Sequence, residues 1–124
     1  MKSNTLQLIS AGVMTGTAVV ESAPIPLEQI FGYAVQAVWT GTPNGSIKLQ
    51  ASCDNPGRDN QASNGGPDEV TNWTDIASSS YAITGSAGNY MWNVSDAYYR
   101  YFRVVYTNTS SVGVLNVKAV VKGI

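Results

Sequence analysis

Eight acidic side chains, one thiol and no imidazole make up the conventional reactive inventory of this 124-residue chain. Asp54, Asp59, Asp68, Glu69 and Asp75 fall in one stretch, opposed only by Arg58. Carboxylate catalysis needs two acids facing each other across a cleft, whereas most of these sit in loops or at strand ends. Without histidine, the commonest general base and the commonest metal ligand are both missing. Asp54, Asn55, Asp59, Asn60, Asp68 and Glu69 offer hard oxygens of the kind calcium takes. Neither an EF-hand nor a nonapeptide spacing organises them, so solvated acids in an exposed loop are expected. The lone Cys53 excludes an intrachain disulfide and a cysteine zinc cluster. The inventory predicts no catalytic residue, no metal site, no cofactor and no enzyme.

The aromatic residues are the other candidates. Trp39, Trp73, Trp92, Tyr90 and the tyrosines of "YYRYFRVVYT" (Tyr98–Thr107) could stack on a sugar, and an aromatic–basic strand faintly resembles an RNA-binding sheet. Aromatic residues in strands more often pack in the core or across strands. The formal net charge of −1 supplies no attraction for nucleic acid.

The elements that would carry these residues are strands. "YAVQAVW" alternates Tyr33, Val35, Ala37 and Trp39 against Ala34, Gln36 and Val38, and "SIKLQASC" alternates Ile47, Leu49, Ala51 and Cys53 against Ser46, Lys48, Gln50 and Ser52. Pro43-Asn44-Gly45 between them predicts a turn, and the pair reads as a hairpin. "TLQLIS" and "TGTAVVES" read as two strands separated by Ala11-Gly12. "SAPIPLEQ" reads as a connector whose prolines bar it from a sheet centre, with at most one helical turn at Pro26–Ile30. Residues 54–72 are rich in Gly, Pro, Asn and Asp and read as a long exposed loop. "WTDIASSSYAIT", "NYMWNVS", "YYRYFRVVYTNT" and "GVLNVKAVVKGI" complete about eight strands, the last two joined by a hairpin turn at "TNTSSVG". Phe102, Val104 and Tyr106 share one face, and Tyr101 and Arg103 the other. The expected fold class is all-β: an antiparallel β-sandwich or jelly roll of one domain over 1–124, with 1–30 as N-terminal strands and connector.

Charged residues are only 12% of the chain, about half the usual share. Fewer charges to desolvate favours contact with other protein surfaces. Beyond Asp96 there is no acid, only Arg100, Arg103, Lys118 and Lys122. Leu6–Val20 is interrupted by polar residues and Glu21 precedes Ala23 by two positions, so no cleaved leader is expected. No apolar run is long enough for a spanning helix. The Asn-x-Ser/Thr triplets at Asn44, Asn72, Asn93 and Asn108 are expected by chance in so Asn-, Ser- and Thr-rich a chain.

Three stretches in this order, "YAVQAVWTGTPNGSIKLQASCDN", "NWTDI" and "GNYMWNVSDAYYRYFRVVYTNTSSVGVLNVKAVVKG", resemble small all-β structural proteins of tailed bacteriophages. The resemblance covers Tyr33 to Gly123. The middle part is also similar to discoidin-type jelly rolls, on Ser52-Cys53-Asp54 with Trp73 and on Arg100-Tyr101-Phe102-Arg103-Val104. It departs from them in the length of 55–72 and in lacking their cysteines. The phage resemblance implies a virion component assembled in the host cytoplasm: a capsid decoration or accessory head protein bound to the major capsid protein or other virion proteins. It would be a homo-oligomer, with no nucleic-acid or membrane partner. Tyr101, Arg103, Leu6 and Leu8 are the expected protein interface, with the segments 1–12 and 23–29 reaching to neighbours. The alternative is a carbohydrate- or receptor-binding module of a tail or fibre, with Asp54, Asp59, Asp68, Glu69 and Trp73 around its ligand.

Overall fold

The computed structural model describes residues 3–27, 30–54, 70–95 and 97–123. Among these residues ten strands form two antiparallel sheets: β1 (Ser3–Met14), β2 (Val19–Glu21), β3 (Ile25–Pro26), β4 (Ile30–Gly41), β5 (Asn44–Ser52), β6 (Thr74–Asp75), β7 (Tyr81–Thr84), β8 (Gly88–Ser95), β9 (Tyr101–Ser110) and β10 (Gly113–Gly123). Sheet A has the order β1-β10-β4-β8. Sheet B has the order β2-β9-β5-β6, with β3 also on β9 and β7 also on β5. The fold is all-β, as the alternation predicts.

Short β2 and β3 share one side of β9, and β6 and β7 share one side of β5. Taking each of these pairs as one broken strand, nearly every chain connection passes from one sheet to the other. That is the jelly-roll topology, in which closure of two four-stranded layers leaves few long edges. It corrects the two expected hairpins. β4 pairs with β10 and β8, while β5 pairs with β9, β6 and β7, so Pro43-Asn44-Gly45 turns an arch between layers. The β9–β10 connection is an arch for the same reason. A turn-forming tripeptide bends the chain equally well in either setting, and packing across the sandwich decides between them.

The arches are fastened by close backbone approach and one buried amide. A Cβ on Gly45 would collide with the Thr107 carbonyl oxygen and the Tyr106 hydroxyl, so β5 can lie this close to β9 only with glycine there. Asn108 is fully buried and spends its whole side chain on partners. It accepts from the Tyr106 hydroxyl (2.6 Å) and donates to the Gly16 (2.9 Å) and Ser111 (3.1 Å) carbonyls. Its backbone N–H donates to the Ala18 carbonyl (2.9 Å). One residue thus ties the β1–β2 turn to the β9–β10 arch, and its burial rules out Asn108 as a glycan acceptor.

The core lies between the sheets. Tyr33, Val35, Ala37 and Trp39 of β4 and Leu115, Val117, Ala119 and Val121 of β10 face Ile47 and Leu49 of β5 and Phe102, Val104 and Tyr106 of β9. Each fully buried side chain of this size contributes roughly 1.5–3 kcal/mol of transfer free energy. Tyr33 stacks on Phe102 at 4.0 Å, and Trp39, Tyr81, Tyr90 and Trp92 form a chain of aromatic contacts at the other end.

Two local readings are corrected. β1 runs unbroken through Ala11-Gly12, because its register shifts let the strand bend and still pair with β10. Ala11 takes φ 52° and its N–H donates to the Asn116 side chain. A Cβ on Gly12 would lie 2.8 Å from Ile9 and 2.9 Å from Val20, so glycine marks close packing there and not a chain break. Cys53 is exposed, not inward, because β5 ends at Ser52. The buried Ser52 hydroxyl accepts from the Asp54 N–H at 3.0 Å and turns the chain away.

Candidate interaction surfaces

The outer face of sheet B is built around Arg103. Strand alternation points Arg103 away from the core, and cross-strand register sets it beside Gln50. Its Nε donates to Gln50 Oε1 (2.8 Å), Nη1 lies 3.3 Å from Glu21 Oε2, and the guanidinium sits 4.3 Å from the centroid of Trp73. Gln50 in turn donates to Asp75 Oδ1 (2.8 Å), and Lys48 donates to Asp75 Oδ2 (3.0 Å). The Gln50 and Lys48 donors hold the Asp75 carboxyl below its ordinary range. The result is a continuous Glu21–Arg103–Gln50–Asp75–Lys48 network capped by an indole. Val105, in one row with Glu21 and Lys48, is only 6% exposed although it points outward.

Next to this network Asp54 is bonded to residues 71 and 72. It accepts from the Thr71 N–H (2.9 Å), the Asn72 N–H (2.8 Å) and the Asn72 side-chain amide (3.0 Å). These donors, Asn72 first, lower its pKa. A carboxylate so occupied acts as a clasp, with its lone pairs already used by protein donors. Asp59, Asp68 and Glu69, the other acids of the expected ligand loop, lie outside the described residues, as does Asp96.

The outer face of sheet A is different. Rows run across four strands: Gln7, Lys118, Gln36 and Met91, then Thr5, Val120, Ala34 and Asn93. Val13, Met91, Val38 and Val114 are 61%, 51%, 43% and 40% exposed. Lys118 and Lys122 are its described charges, and no described acid lies on it: Glu21 and Asp75 belong to sheet B, and Asp54 follows β5. A shallow depression of about 370 Å³ opens beside Phe31, Asn93, Val120 and Lys122.

No protein-family model matches the chain, and no curated protein matches it. Solved structures do. The chain is similar to the PBSX exported protein XepA (TM-score 0.65, 13% identity), covering 98% of this chain and 37% of XepA. It therefore spans little more than a third of that protein. It is similar over nearly both full lengths to the SPBc2 prophage-derived protein YomS, with TM-score 0.53, 18% identity and coverage of 97% and 92%. A third likeness is to the VP2 subviral particle of infectious bursal disease virus, with TM-score 0.50, 7% identity and coverage of 97% and 32%. At these identities the likenesses establish the shared fold.

The expected interface residues are thus scattered. Arg103 projects outward as alternation requires, but its donors are engaged by Gln50, Glu21 and Trp73. Tyr101 is half-buried, set by register between Pro26 and Ser52. Leu6 and Leu8, on the opposite sheet, are half-buried and pack against the core. Of the segments expected to reach to neighbours, residues 3–12 belong to β1 and 25–26 to β3, both paired within the chain. Trp39 and Trp92 point inward, their indole N–H groups donating to the Ser86 (2.9 Å) and Ser79 (2.7 Å) carbonyls. Tyr33 shares a hydrogen bond with Tyr99, and burial first, then that bond, pushes its hydroxyl well above the ordinary range. Sequence reasoning missed the apolar surface of sheet A. The signal was present, because Val38, Val114 and Val120 stand at the outward positions of their alternating strands.

Proposed function

We propose that the chain is a non-enzymatic structural protein of a phage virion, a capsid-associated decoration or accessory head protein. In this reading it docks on the shell through the outer face of sheet A. The observation that carries it is that face: five valine or methionine side chains exposed among amides and two lysines, without a described acid. Apolar contact supplies affinity, and the lysines favour an acidic shell surface. Repetition over a lattice multiplies a modest single contact through avidity. The names of similar structures support the reading, since one belongs to a prophage-derived protein and one to a viral particle. The non-enzymatic part rests on the absence of histidine and on the surface hydrogen-bond roles of the described carboxylates Glu21, Asp54 and Asp75. The carbohydrate-binding alternative loses support because one ring face of Trp73 is taken by Arg103.

Mass spectrometry of purified particles tests the proposal, with the chain expected at a stoichiometric multiple of the shell protein. Co-sedimentation of the purified chain with shells is expected to be lost in Val38→Asp/Val114→Asp, provided that variant keeps its circular dichroism. Absence from particles, or undiminished binding by the folded double variant, would overturn it. Deleting 1–12 is not a usable test, because it removes most of β1 and takes Ile9 out of the core.

A further inference from the structure

We infer that β8 is a self-association edge, along which two copies of the chain join sheet A to sheet A. An unpaired sheet edge invites strand addition, and proteins usually blunt it with charge, proline, a bulge or a break. The other described edges carry such devices. β1 has two register shifts and a residue at positive φ. The β2/β3 edge is interrupted and contains Pro24 and Pro26. The β6/β7 edge is broken between Asp75 and Tyr81 and carries Asp75 itself. β8 has no charge, proline or bulge: it runs eight residues, "GNYMWNVS", and pairs with β4 in unbroken register from Gly88 to Ser95. The Ile76–Ser79 link that flanks it across a shallow depression reaches it only through the Trp92 indole, not through its backbone. No described hydrogen bond to its backbone comes from beyond the β4 ladder.

The occupant follows from the sequence of the strand. Asn89-Tyr90-Met91-Trp92-Asn93 reads alike in both directions by side-chain class. Placed antiparallel about a two-fold axis at Met91, Met91 faces its own copy, and Asn89 faces the partner's Asn93. On the inner side Tyr90 faces the partner's Trp92. Carboxamides both donate and accept, so the Asn pairs are complementary, and the strand brings no like charge against like. A two-fold contact demands this kind of self-complementarity. Met91, 51% exposed in the single chain, would be covered at the axis. The contact would continue sheet A through β8 into the β8 of the second copy. This gives the homo-oligomer expected from the resemblance a definite contact and needs no shell.

Sedimentation equilibrium of the full chain, without shells, tests it. A concentration-dependent dimer is expected. Met91→Lys, which sets two ammonium groups together on the axis, should weaken it on the order of tenfold or more. Val114→Lys, two strands away, should leave it unchanged. In the Cys53→Ser background, Met91→Cys should oxidise to a covalent dimer and Val114→Cys should not. This arm holds even if Met91→Lys fails to fold. A monomer at the highest soluble concentration, a dimer insensitive to a folded Met91→Lys, or equal cross-linking at both positions would overturn the inference. Either result leaves shell docking to be judged by its own co-sedimentation.

Discussion

The two outer faces of this sandwich use the same strand alternation to opposite ends. On sheet B, the described charges in the row around Arg103 meet partners in the same chain and the outward Val105 is covered, leaving Val19 of β2 as its one large exposed apolar side chain among the described residues. On sheet A, valines and Met91 lie open, and Lys118 and Lys122 have no described carboxylate on their face. A satisfied face offers a partner little, because docking there would have to replace internal hydrogen bonds at their desolvation cost. An unsatisfied face offers area and charge at no such cost. Outwardness in a strand pattern is therefore a poor guide to function until the neighbours of each side chain are known.

Paired substitutions can break this contrast. The largest difference is expected between Val105→Ala and Val38→Ala. The first removes covered apolar volume and should cost about 1–3 kcal/mol, while the second should stay within about 0.5 kcal/mol. Thermal melts of both variants read it, and equal losses would show that the faces are covered alike. Next is Arg103→Ala against Lys118→Ala. Glu21 is well exposed and its ion pair weak, so the Gln50 bond and Trp73 stacking dominate, and about 1 kcal/mol is expected for the arginine. A negligible change is expected for the lysine. Urea midpoints compare them, and an Arg103→Ala midpoint equal to wild type would dissolve the network as a stabilising unit.

For Lys118→Glu/Lys122→Glu stability should scarcely move, whereas shell co-sedimentation should fall and lose its salt sensitivity. Retained salt-sensitive binding would move the docking charge elsewhere. The smallest effect is acid dependence confined to sheet B and its flank. Asp75 and Asp54 are held below the ordinary value of 3.8 by their donors. Their contribution is present above that value and fades as pH falls through the lower folded values. Carboxyl NMR titration should show both midpoints depressed, and ordinary midpoints would mean the network and the clasp are not formed in solution.

The layers were legible where a strand is half-buried along its whole length. Period-two alternation in 33–39 and 115–121 put the right residues inside, and the split of 102–106 into two faces held as well. Sheet membership was not legible. Pro43-Asn44-Gly45 carries the same local chemistry in a hairpin and in an arch, and the choice rests on Gly45 meeting Thr107 far along the chain. Cys53 was misplaced because alternation was extended one residue past the end of β5, where Ser52 turns the backbone. The Arg103 network lay beyond sequence reading, since Glu21, Gln50 and Trp73 come from distant segments joined only by register. The symmetry of "NYMWN", in contrast, was in plain view, but it gains meaning only once β8 is known to be an edge.

The pairing of β1 with β10 also fixes an order of events. Among the described strands, β1 finds its ladder partner in β10, more than a hundred residues further along. Since neighbouring strands fall mostly in different layers, few local pairs can form early. Most contacts must wait for distant segments, the situation in which folding is slow. Chains truncated before Gly113 should therefore remain protease-sensitive, and protection should arrive in one step only when β10 is present.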